Sequence, residues 1–175
     1  MPTVNSQIDR HHDRFWRAVW SELKSFFGSA YNYRRDAFSS GVRQALKTAP
    51  RGGVAGDVLE VYSASLVMCV SWTARPVHPW DRDLPLEQQD ATFAEQCLHD
   101  VDVAIARLFS CFPLVEQLYI TVRHPISHAS ILSGTAHRAD FLAVRRLSIP
   151  MRLKMLGLAY EPGRGGLRPL AVTGG

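Results

Sequence analysis

Apolar residues recur along this chain at two periods, and the change from one to the other marks out its elements. From Ala91 to Phe112 the spacing is helical. Ala94, Leu98, Val101, Ile105, Leu108 and Phe112 form one stripe, with Glu95, His99 and Asp102 toward water. Phe112-Pro113 stops that pattern. From Val115 to Arg123 the period becomes two. Leu118, Ile120 and Val122 point one way and Gln117, Tyr119, Thr121 and Arg123 the other, as in a half-buried strand. A turn at Pro125 leads into a second extended run, His128 to His137, and so short a connection favours antiparallel pairing. Gly134 inside that run predicts a bulge or a close backbone contact.

Upstream, Ile8, Phe15, Val19, Leu23 and Phe26 predict a helix over residues 6–27, with Ser6 as N-cap and Gly28 as stop. A turn over residues 28–32 leads to a shorter helix capped by Asp36. It carries Phe38, Val42 and Leu46 on one face and ends at the breaker run Ala49-Pro50-Arg51-Gly52-Gly53. Val58 to Thr73 reads as extended, and its apolar residues on both parities suit a central strand. Residues 62–65 are weaker and predict a bulge or the turn of a hairpin. Three prolines over residues 75–85 predict a loop. Residues 139–147 read as helical, with Pro150 as a break and a further turn or two over 151–158.

The pattern as a whole predicts an α+β fold. Its sheet is mainly antiparallel, of four or five strands, with the long helix packed on one face, a helical N-terminus and a C-terminal helix. One domain is expected over residues 1–160, with residues 6–48 able to form a semi-independent arm. The Gly/Pro-rich stretch 161–175 is expected to be disordered.

Composition sharpens this only in part. A chain of 175 residues, 46% hydrophobic and 21% charged, suits one ordinary globular domain. No apolar run approaches bilayer length, so no transmembrane segment is expected, and the N-terminus lacks the apolar core of a secretory signal. Cys69, Cys97 and Cys111 sit in apolar runs at spacings that fit neither a disulfide framework nor a zinc knuckle. They read as buried, reduced thiols of a cytoplasmic protein. The net charge of +4 conceals blocks: residues 57–116 hold three Lys/Arg against ten Asp/Glu, while residues 1–56 and 138–175 are both basic. Basic ends around an acidic middle can attract an acidic partner or one another, within a chain or between copies.

Candidate chemistry is sparse. His137 and Asp140 at a strand-to-helix junction suit a general base with its orienter or two metal ligands. The simpler assignment makes Asp140 the N-cap of a helix starting at Phe141 and His137 a surface residue. His124 and His128 belong at one end of the hairpin and His137 at the other, about 30 Å away along ten residues of strand, which argues against a shared metal. In the proline loop, His78, Asp81 and Asp83 are the remaining candidates for a cation or an acid–base pair. Arg82 between the carboxylates opposes that role, and Pro79-Trp80 reads as an anchor of the loop on the core. No nucleophile has a partner in sequence, Gly52-Gly53 lacks a phosphate-binding signature, and no cofactor is expected.

The leading expectation is therefore a non-enzymatic, cytoplasmic protein-interaction or assembly module. It self-associates through the aromatic face of its first helix, Phe15, Trp16, Trp20, Phe26 and Phe27. The alternative is a nucleic-acid-binding protein that uses its basic ends, through Arg34, Arg35, Arg145, Arg146, Arg152 and Lys154.

Overall fold

The computed structural model describes residues 30–47, 53–64, 66–163 and 166–171. The helix expected over residues 6–27, and with it Phe15, Trp16, Trp20, Phe26 and Phe27, lies outside the described residues. Contacts divide the chain into residues 38–170 and a second unit of residues 1–37 with 171–175. The first unit holds all seven strands of the described residues.

Its elements follow the α+β order. Helix α1 (Ala30–Lys47), of which residues 38–47 belong to this unit, precedes strands β1 (Val58–Ala64) and β2 (Val67–Thr73). A loop with a 3₁₀ turn at Pro79–Asp81 leads to helix α2 (Leu86–Cys111). Strands β3 (Gln117–Arg123) and β4 (Ser130–His137), helices α3 (Arg138–Ala143) and α4 (Ile149–Met155), and strands β5 (Leu158–Ala159), β6 (Glu161–Gly163) and β7 (Gly166–Arg168) follow. The first five strands form one sheet in the order β1-β2-β3-β4-β5. Each neighbouring pair is antiparallel except β2 and β3, which run parallel. Parallel neighbours need a crossover, and α2 supplies it, which places the helix against one face of the sheet.

Register then sorts the side chains. Met68 pairs with Leu118, Val70 with Ile120 and Trp72 with Val122. All six are buried in one cluster with Phe93, Cys97, Val101, Ala104, Ile105 and Leu108 of α2. Full burial of such a side chain stabilises by roughly 1.5–3 kcal/mol, so the helix-to-sheet seam dominates the stability of this unit. The expected alternation of β3 is therefore present, and the long helix ends one residue before the predicted stop.

Gly134 meets its expectation as a close contact: a Cβ there would collide with the carbonyl of Gly157 and the Cα of Leu158 where β5 joins β4. The strand signal at residues 62–65 resolves as a hairpin between β1 and β2.

Several expectations give way. Helix α1 starts at Ala30, ahead of the predicted cap at Asp36, because nothing between Ala30 and Lys47 interrupts a helical backbone. Its later turns bury Val42 and Leu46, and the Phe38 ring meets that of Phe112 at a tilt of 60°, 5.2 Å between centroids. The predicted helix over 139–147 ends at Ala143, and Pro150, expected as the break after it, lies in the first turn of α4, which supplies the further turns expected beyond it. Proline suits the first turn, where its missing N–H has no partner to lose. Asp140 sits within the first turn of α3 and not at its N-cap, which His137 occupies. Asp102 does not face water: its carboxylate lies 2.7 Å from Nε of Arg152.

The tail expected to be disordered from Glu161 contains the β6–β7 hairpin. Leu167 packs on the core, the backbone of Gly166 lies against Asp90, and the Leu170 N–H donates to the Ser130 carbonyl at 2.7 Å. Low hydrophobicity is offset here by main-chain contacts that composition cannot register. No described helix is long and apolar enough to cross a membrane.

Candidate functional site

Three guanidinium groups brace the described unit. Arg138 donates from Nε to the Val115 carbonyl (2.8 Å), from Nη1 to Phe109 (2.9 Å) and from Nη2 to Phe112 (2.8 Å), while its plane covers the Phe109 ring. It thereby caps the C-terminal end of α2, where helical carbonyls lack N–H partners and the dipole favours a cation. Arg152 joins α4 to α2 through Asp102 and donates to the Arg145 carbonyl. Arg75 grips Asp100 from two nitrogens, at 2.7 and 2.8 Å. Asp100 is only 4% exposed, and burial pushes its carboxyl above the usual range, opposed by Arg75 and then His99. Sequence reasoning missed this pair. Its signal was an aspartate three residues after Cys97 and four before Ala104, on the buried face of α2.

The candidate titratable groups are spread out, and each has a structural setting. His124 Nδ1 accepts from the N–H groups of Ile126 and Ser127, both at 3.2 Å, and holds the β3–β4 turn. Burial lowers its pKa, Asp90 raises it and His128 lowers it. His128 sits at φ 56° in that turn. His137 and Asp140 are both exposed. Burial pushes the Cys69 and Cys97 thiols up to about 12. Cys111 is exposed, contrary to expectation, because it ends α2 on the side away from the core. Among the described residues no three His, Cys, Asp or Glu side chains gather closely enough to hold a metal, so His78, Asp81 and Asp83 are not brought together as a site.

The proline loop matters for another reason. Gln89 Nε2 donates to the carbonyls of Arg82 (2.9 Å) and Leu84 (2.7 Å), and Gln96 Nε2 donates to that of Arg75 (3.1 Å). Together with the Arg75–Asp100 pair, these bonds pin both ends of the loop to α2. Between them the Trp80 ring stacks on His78, the Trp80 main-chain N–H donates to His78 Nδ1, and the residue stands 84% exposed. The expected anchoring of Trp80 on the core is overturned: the side-chain bonds from α2 hold the loop, and the indole points to water. Leu86, 75% exposed, and Leu84 flank it, with Asp81, Asp83 and Glu87 interspersed.

A second exposed apolar group occupies the α3–α4 corner. Met151 and Met155, one turn apart on α4, and Leu142 on α3 are all exposed. Arg145, Arg146 and Lys154 on the same segment are exposed, Arg145 over the Phe141 ring and Lys154 over that of Tyr160. Of the basic residues expected to contact nucleic acid, these three lie at the surface, whereas Arg152 is committed to Asp102. Arg34 and Arg35 fall on α1, and their side chains are outside the described residues.

The sheet face away from α2 carries the row Tyr62, Cys69, Tyr119 and Thr135 beside the row Glu60, Ser71, Thr121 and Ser133. Gln117 Nε2 donates to the Tyr119 hydroxyl at 3.0 Å, and burial raises that phenol's pKa. Comparison of the chain with protein-family models, with curated proteins and with solved structures finds no match.

Proposed function

We propose that this protein is a non-enzymatic protein-interaction or assembly module that self-associates. One observation carries the reading: Trp80 is held in water on a loop pinned at both ends. Exposing an indole forfeits the stabilisation that its burial provides, whereas a rigid exposed tryptophan is the kind of group that dominates protein interfaces. Pinning the loop in advance also lowers the ordering cost of binding. The perturbed groups Asp100, His124, Cys69 and Cys97 have structural settings that account for their shifts, which favours a scaffold over a reaction centre. The thiols of Cys69, Cys97 and Cys111 are free, which suits the reducing cytoplasm.

The aromatic stripe Phe15, Trp16, Trp20, Phe26 and Phe27 belongs to this proposal as a second contact element, supported by its sequence pattern. Light scattering on the full chain over a wide concentration range tests the reading. The expected mass rises above that of one chain, and the double variant Trp16→Ala/Trp20→Ala lowers it while keeping the circular dichroism spectrum. A single-chain mass at every concentration refutes self-association; an unchanged mass in the double variant removes the aromatic stripe from it.

A further inference from the structure

The two exposed apolar groups differ in charge. Around Trp80, Leu84 and Leu86 stand Asp81, Asp83 and Glu87, with Arg82 among them. Around Leu142, Met151 and Met155 stand Arg145, Arg146 and Lys154, with Asp140 nearby. Each has an apolar centre and a charged rim, the usual anatomy of an interface. Methionine adds an adaptable surface on which a large ring can seat.

Their exposure decides what each can meet. The loop is held along α2, from Asp100 and Gln96 at its Arg75 end to Gln89 at its Leu84 end. The corner is tied to α2 through Asp102 and Phe109, the latter against Phe141 at 5.8 Å between centroids. Trp80, Leu86, Leu142, Met151 and Met155 all stand exposed, so the two groups do not cover each other within the described unit.

We propose that the acidic Trp80 loop of one copy docks on the basic methionine corner of a second copy. The contact is head-to-tail, so successive copies close into a ring or extend as a filament. The proposal rests on the self-associating reading above and names the surfaces that carry it. Opposite rims steer the encounter and set the register, and the indole in the methionine seat supplies most of the affinity.

Light scattering of the full chain and its variants tests this. Trp80→Ala is expected to raise the dissociation constant about 30-fold or more, the range of an interface hot spot. Arg146→Glu/Lys154→Glu is expected to weaken association in the same direction, as is added salt. Melting curves check that the variants are folded, and Asp83→Lys/Glu87→Lys carries the same test if Trp80→Ala does not melt cooperatively. If the wild-type chain associates and these variants associate as tightly, the docking proposal is overturned while self-association stands. A wild-type chain that stays single overturns both. Binding of labelled RNA or DNA that the Arg146→Glu/Lys154→Glu variant loses, with its mass unchanged, assigns the corner to nucleic acid and overturns the proposal.

Discussion

Replacing Arg138 with alanine removes more stabilisation than any single exposed charge should. Three donors leave at once, each bound to a main-chain carbonyl at 2.8–2.9 Å. A hydrogen bond to a charged group contributes roughly 1.5–3 kcal/mol when its partner is left dry. Water reaches part of this site, since the Arg138 side chain keeps 23% of its exposure. About 1 kcal/mol per bond is then the appropriate figure. Cover of the Phe109 ring adds roughly 0.5–1 kcal/mol. The expected loss is about 3–4 kcal/mol, or a melting temperature lower by about 6–16 °C at 2–4 °C per kcal/mol for a chain of this size. Arg138→Lys keeps the charge at the helix end but loses the planar fork, and should recover about a third of the loss. Urea and thermal denaturation of wild type, Arg138→Ala and Arg138→Lys give the comparison. A melting temperature for Arg138→Ala within about 2 °C of wild type would refute the cap as a structural brace.

Two further outcomes follow from local chemistry. The His124 pKa is lowered on folding, so the unfolded chain binds the extra proton. Its stabilisation is full above the ordinary imidazole value of about 6.5 and is lost as pH falls from there through the lower folded value. His124→Asn, which keeps an acceptor for Ile126 and Ser127, should flatten that acid slope, and a wild-type slope retained by the variant contradicts it. With Cys69 and Cys97 buried and pushed up to about 12, a thiol reagent should titrate Cys111 alone in the native protein and all three cysteines in denaturant. Rapid native labelling of Cys69 or Cys97 argues against that burial.

Legibility in the sequence followed the range of each interaction. The α2 stripe, the alternation of β3 and the β3–β4 hairpin are local periodicities, and they could be read directly. The parallel pairing of β2 with β3 could not, because it depends on where the crossover returns. Arg75 and Asp100 are 25 positions apart, and Arg152 and Asp102 are 50 apart. Nothing local joins them, so Asp102 looked solvated and Arg152 looked available for phosphate. The β6–β7 hairpin was hidden by composition, since its order comes from contacts with Asp90 and Ser130. Of the candidate site, the proline loop and the cations Arg145, Arg146 and Lys154 stood out. The loop did so for His78 and its carboxylates, whereas the structure directs attention to Trp80. An aromatic residue type gives no sign of whether its ring turns inward.

The head-to-tail contact is tested most directly by mixing two variants with opposite faults. Asp83→Lys/Glu87→Lys leaves a copy with two basic rims, and Arg146→Glu/Lys154→Glu leaves one with two acidic rims. Each alone should show a light-scattering mass below that of the wild-type assembly, and their equimolar mixture should recover it. A mixture no heavier than either variant alone, or variants that assemble as the wild type does, would contradict the account.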